Sequence, residues 1–246
     1  MNDLKITLTK FYLLVFGLIY LQIYKISSNE LILYPVSRNM STKEKILYAA
    51  KELFNVKGVE NVTTRHIASQ INMSQGNLHY HYPNKNEILI ELHKQFLGEV
   101  MQRMSMVAST EFNLEMWYTL ISSAFRVMYD YRFFFIDTLV IWRKIETIKH
   151  SSLTFYEQSK FQFSFLVSQL NERDLLRKDI SDEQFNNLFK HVAIFYNSWL
   201  SMKDVVTDDK ENPETTPQYF ANLIFTIWVP YLSDKGLEDF KKITLK

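Results

Sequence analysis

The sequence predicts an all-α protein, with an N-terminal three-helix head containing a helix-turn-helix and a larger helical body behind it. Three observations carry this. Apolar residues from Ser41 onward recur at i, i+3/i+4 and i+7, the spacing of helices with one buried face. Capping signals, S-x-x-E, S-x-x-Q or Asn with an acid three residues on, open several of those runs. No alternating segment comes with the turn dipeptides or partner that a strand requires, and there are only 5 Gly in 246 residues. The expected boundaries are a hydrophobic extension at 1–40, the head at 41–88 and the body at 89–246.

The head is the best-specified region. Ser41 and Glu44 form a capping box, and Ile46, Leu47, Ala50, Leu53 and Phe54 make one buried stripe. Gly58 supplies the left-handed exit after Lys57. Thr63 caps a short second helix with Ile67 and Ala68 facing inward, and Asn72-Met73 makes the turn. Ser74 starts a third helix in which only Leu78 and Tyr82 read as buried. Pro83 stops it, and Asn84 with Glu87 opens a fourth helix, expected to run to about Met106.

The body continues with helices over about Leu114–Tyr129 and Phe133–Ile148. The stretch Phe161 to Phe165 alternates as a strand would, but it lies inside a long segment, Leu153–Leu176, so length decides for helix. Ser181 and Gln184 open another helix whose stripe is Phe185, Leu188, Phe189, Val192, Phe195, Tyr196 and Trp199. After the polar stretch 208–217, Thr216 and Pro217 read as N-cap and N1 of a last helix, which Pro230 should kink or end.

The third helix presents Ser74, Gln75, Asn77, His79, Tyr80 and His81, all polar or amphipathic and almost without formal charge. Hydroxyls, amides and imidazoles bond phosphate oxygens, and Gln or Asn can read adenine edges in the major groove. Lys85 near the start of the next helix is placed to meet a phosphate, so its loss should weaken binding and leave folding intact. Residues 41 to about 95 resemble the N-terminal DNA-binding domain of the TetR family of bacterial transcriptional regulators. The resemblance runs from Val62-Thr63-Thr64-Arg65-His66-Ile67-Ala68 through Met73 to Tyr82 and on to Asn84-Lys85-Asn86-Glu87. It implies that Thr63, Thr64, Arg65, Ser74, Gln75, Asn77, His79, Tyr80, His81 and Lys85 stand where family members contact operator DNA. His79 departs from the family, which most often has Tyr there.

The resemblance further implies a homodimer formed by the last two helices, about 181–204 and 217–233, both of which carry wide apolar faces. A two-fold dimer presents two recognition helices to successive major grooves, so its operator should be palindromic. Family bodies enclose an effector pocket. The aromatic supply of this body, Trp117, Phe125, Tyr129, Trp142, Phe161 and Phe165 with His191, is the candidate lining for a small apolar or aromatic effector, although aromatic stripes also serve plain core packing. Arg126 and Asn197 are further polar candidates to orient it.

Composition agrees without deciding. A chain with 47% apolar residues has ample core, and the absence of Cys removes disulfides and thiolate metal sites. The net charge is only +1, and the head from Ser41 to Val100 holds seven Lys or Arg against six Asp or Glu, so specific hydrogen bonding must contribute more than phosphate neutralisation. No catalytic residues, metal or cofactor are expected: His79 and His81 lie two apart and diverge on a helix, and there is no glycine-rich phosphate loop or nucleophile elbow. A rival reading, a helical protein-interaction module without DNA binding, calls for an apolar recognition face that the third helix lacks. Phe11 to Tyr24 is an uncharged apolar run, shorter than the ~20 residues that span a bilayer comfortably. The favoured reading starts translation at Met40 and places a repressor in the cytoplasm; the alternatives are a membrane-associated regulator anchored by residues 11–26 and an extra helix on the body.

Overall fold

The computed structural model describes residues 40–107, 112–206 and 215–244. Its described elements are helices, with one isolated antiparallel bridge between Leu176 and Leu232. The apolar run at 11–24 lies outside the described residues. Among those that are described, no helix is long and apolar enough to cross a membrane. The chain divides into two units: one holds the described residues before Thr110 together with Asp130–Ile148, the other holds the remainder.

In the first unit, helix α1 (Thr42–Lys57) opens on the expected capping box, with the Glu44 N–H donating to Ser41 Oγ at 3.3 Å and the Ser41 N–H to Glu44 Oε2 at 2.6 Å. It exits through Gly58 at φ 76°. Helix α2 (Thr64–Gln70) has a capping box closed by an imidazole: Thr63 Oγ1 accepts the His66 N–H, and the Thr63 N–H donates to His66 Nδ1, both at 3.3 Å. Asn72 takes the left-handed turn position at φ 52°, which Asn tolerates better than most residues. Helix α3 (Gln75–His81) is capped by Ser74, and Asn84 Oδ1 accepts the Glu87 N–H at the start of α4 (Lys85–Val107).

The expected single helix over 133–148 is corrected to two short ones, α6 (Phe133–Ile136) and α7 (Thr138–Lys144). The backbone leaves helical geometry at Asp137 (φ −98°, ψ 18°) and again at Ile145 (φ −133°, ψ 89°). Local side-chain bonding explains the first break. Thr138 Oγ1 donates to Phe134 O at 2.5 Å and Phe135 O at 3.0 Å, while the Asp137 carboxylate leaves its own helix and accepts the Val59 N–H at 2.7 Å. Aromatic rings fill the space beneath: Phe133 lies 5.3 Å from Phe54 and 4.2 Å from Phe134, and Phe134 meets the buried His93 ring edge-on at 5.2 Å.

The second unit receives most of α5 (Leu114–Asp130), then α8 (Glu146–Glu172), α9 (Asp182–Val206), α10 (Thr216–Thr226) and α11 (Asp234–Thr244). The helix containing Phe161 to Phe165 is continuous, as length predicted, but begins at Glu146, ahead of Leu153. Pro230 acts earlier than expected. It has no N–H to donate to the carbonyl four residues back, and α10 stops at that residue, Thr226, before a 3₁₀ turn at Val229–Tyr231. The last helix expected at 217–233 is therefore shorter, and α11, unanticipated, follows it. Ser233 Oγ accepts the Gly236 N–H at its start, and Phe240 stacks on Phe225 at 5.1 Å. The core of this unit is aromatic: Trp117 contacts Trp228 at 4.5 Å and Phe225 at 5.0 Å, and Trp199 contacts Phe125 at 5.0 Å and Phe220 at 4.7 Å.

Candidate DNA-reading face

Leu78 and Tyr82 anchor α3 in the head core, which turns the remaining residues outward. Tyr80 is 84% exposed, and its ring meets the His81 imidazole edge-on at 5.3 Å. The Gln75 and Asn77 side chains are exposed, with no hydrogen-bond partner among the described residues. Two amides thus remain available for base edges or phosphates. The Ser74 and Thr63 oxygens accept cap bonds from Asn77 and His66. Each hydroxyl keeps its own hydrogen to donate.

Arg65 projects, exposed, from the first turn of α2 and makes no ion pair with another described residue. Thr64 Oγ1 and His79 Nε2 lie 3.3 Å apart and tie α2 to α3. The imidazole at this departure from the family pattern is therefore partly engaged within the head.

Lys85 has duties the sequence did not disclose. Its ammonium donates to Val59 O at 2.7 Å and to Val62 O at 2.8 Å, closing the α1–α2 turn. Burial, and secondarily the Lys144 charge, pull its pKa below the usual lysine range, with Glu60 and Asp137 opposing. One N–H of three remains to reach a phosphate. The expectation that losing Lys85 leaves folding intact is corrected: removal strands two carbonyls, each a charge-assisted bond worth about 1.5–3 kcal/mol. Asp137 and Glu60 make contacts at the same turn, and Asn55 bonds the backbone of Asp130 and Phe133 beside it; none was singled out from sequence. Their partners lie 75 to 84 positions away, beyond any local pattern.

The proposed effector residues separate. Trp117, Phe125 and Tyr129 are buried along α5, with Phe125 stacked on Tyr196 at 5.0 Å. Burial raises the Tyr196 phenol pKa, so it stays protonated. The Trp199 indole N–H beside this cluster is buried and has no hydrogen-bond partner among the described residues. Phe161, Phe165 and His191 are exposed within their unit, as are Arg126 and Asn197, and Trp142 belongs to the other unit. Within the second unit the structure groups the α5 aromatics, while Phe161, Phe165 and His191 lie on its exposed surface.

A capped helix-turn-helix with a solvent-facing polar recognition helix, ahead of an all-α body, defines a DNA-binding transcriptional regulator. Comparison agrees. Residues 46–92 match the model of the bacterial regulatory proteins of the tetR family, and residues 95–240 match a TetR model described as bacterial transcriptional repressor. The chain belongs to the TetR family of bacterial transcriptional regulators. It is 42% identical over 53 residues to the HTH-type transcriptional regulator QacR of Staphylococcus aureus, a match spanning 22% of this chain and 28% of that protein. A TetR-family regulator from Marinobacter aquaeolei shares its fold at TM-score 0.72 and 24% identity, over 80% of this chain and 93% of the other. A regulator from Saccharomonospora viridis, solved with choline, follows at TM-score 0.62 and 15% identity, over 78% and 97%.

Proposed function

We propose that this chain is a ligand-responsive homodimeric repressor that binds a palindromic operator through α3 and releases it when a small apolar or aromatic effector occupies the body. The observation that carries the DNA-reading assignment is the outward face of α3, where Gln75, Asn77 and Tyr80 are exposed and do not serve the fold. Dimerisation is supported by a bare apolar stripe on α9: Ile194, Met202 and Val205, at i, i+8 and i+11, are exposed, Ile194 by 66% and Val205 by 75%. Tyr219 on α10 is also exposed. The buried aromatics of α5 support an effector of matching character, and the choline held by the Saccharomonospora viridis regulator is a precedent for a small ligand in this fold. Linkage then requires that operator DNA weaken effector binding by the factor that effector weakens DNA binding.

Tyr80→Ala tests the face directly. Its side chain is solvated, so the melting temperature should hold, while affinity for DNA selected by the wild-type protein should fall by about tenfold, the loss of one good contact. Unchanged affinity would place the DNA on another face.

A further inference from the structure

The α1–α2 turn, residues 58–62, is gripped from residues far away in sequence. Asp137 stands at the N-cap position of α7, where its carboxylate would ordinarily accept a backbone N–H of its own helix. It makes no such bond. Its Oδ2 accepts the Val59 N–H at 2.7 Å instead, 78 positions away. Asn55, on the last turns of α1, completes the joint from the other side: its Nδ2 donates to Asp130 O at 2.8 Å and its Oδ1 accepts the Phe133 N–H at 3.3 Å. The Asn55 amide thereby uses both ends on the backbone of 130–133, while Phe54 packs its ring against Phe133.

These three bonds share two properties. Each joins the head to residues 130–137, which fall inside the match to the TetR body model, and each has backbone on one side, so its geometry is set by chain path and not by a flexible side chain on both ends. The segment is also covalently tied to the second unit at both ends, through α5 at 129–130 and α8 at 148–149. The exposed Lys144–Glu60 pair at 2.6 Å adds a contact that solvent screens. Lys85 grips the turn from within the head and does not belong to this joint.

We infer that Asn55 and Asp137 are positioning residues that fix the orientation of the DNA-reading head, and so determine which half-site separation the dimer accepts. This rests on the DNA-binding dimer proposed above. Neither side chain lies on the reading face, so their loss leaves the contacts of one head with one half-site in place and loosens the register between two. Asp137→Asn keeps a carbonyl oxygen for the Val59 N–H, which separates the hydrogen bond from the charge.

The experiment uses the full chain and a palindromic duplex obtained by selecting random DNA with the wild-type protein. Affinities are measured for that duplex, for versions with the half-sites moved by one and two base pairs, and for a single half-site. The wild type should discriminate against altered spacing by about tenfold or more, a coupling of ordinary size. The Asn55→Ala/Asp137→Ala double variant should lose most of that discrimination while holding half-site affinity within about threefold, and Asp137→Asn should retain the wild-type profile. A double variant that keeps the wild-type spacing profile overturns the inference, as does one whose half-site and palindrome affinities fall together. Failure of the wild type to select any DNA strikes instead at the DNA-binding reading, and is distinguishable because no palindrome emerges. Should the double variant melt below the assay temperature, Asp137→Ala alone carries the same comparison against Asp137→Asn.

Discussion

His93 shows how one side chain can make the stability of the head depend on pH. It sits on α4 among Phe96 and Phe134, is 5% exposed, and burial lowers its pKa from 6.5 to about 4. The folded protein therefore holds it neutral at pH values where the unfolded chain already binds a proton. Stability is full above pH 6.5, declines as pH falls toward 4 and levels below that, with a total contribution of about 3 kcal/mol. Denaturant unfolding at pH 7.5 and 4.5 should show wild type losing about 2.5 kcal/mol more than His93→Leu, most of that total; equal losses would mean His93 is not the group responsible. Lys85→Ala is expected to destabilise by about 2–4 kcal/mol through the Val59 and Val62 carbonyls, beyond any effect on DNA affinity. At this scale the caps were legible, because Ser41, Thr63, Ser74 and Asn84 bond residues three positions away. Lys85 was not. A lysine read from sequence shows its charge but not the two carbonyls that fold around it.

Elements were legible in proportion to how much their own residues decided them. Helices α1 to α4 fell where stripe and cap agreed. The 133–148 segment did not, since its apolar pattern is continuous and the break at Asp137 comes from a carboxylate recruited by a distant backbone N–H. Helix α11 left a weaker trace that could have been used: Ser233 as cap, then Leu237, Phe240 and Ile243 at i, i+3 and i+6. Its docking is confining. A Cβ on Gly236 would stand 2.3 Å from Leu175 O, the carbonyl that also accepts the Ser233 N–H at 3.0 Å. Gly236→Ala should thus push α11 off the 170–176 turn and cost about 1–3 kcal/mol, as overpacking does. Thermal unfolding checks this, and a variant as stable as wild type would show that α11 is free to shift.

At the scale of the whole molecule, family membership and the polar face of α3 support the proposal that a nearly neutral head reads DNA by hydrogen bonding, with a second copy supplying affinity. The head's charge balance predicts a shallow salt dependence, with fewer counterions released than a lysine-rich binder of the same size. If the proposed dimer forms through the α9 stripe, Ile194→Asp with Val205→Asp should yield a monomer in light scattering and weaken binding to the paired site, because a linked second head would supply avidity; a protein that stays dimeric would move the interface off the α9 stripe. The proposed reading face could be named from sequence because seven of the ten residues expected to contact DNA fall in the run from Ser74 to Lys85, whereas sequence alone does not single out an effector set, since aromatic spacing on α5, α8 and α9 is the same for a packed core as for a ligand wall. The central claim is met most directly by sequencing the DNA that the purified full-length chain selects from a random pool. A paired-head reader should enrich a two-fold-symmetric motif whose half-sites lie about one helical turn, or a multiple of it, apart. Enrichment of no motif, or of a single asymmetric element, would contradict the claim.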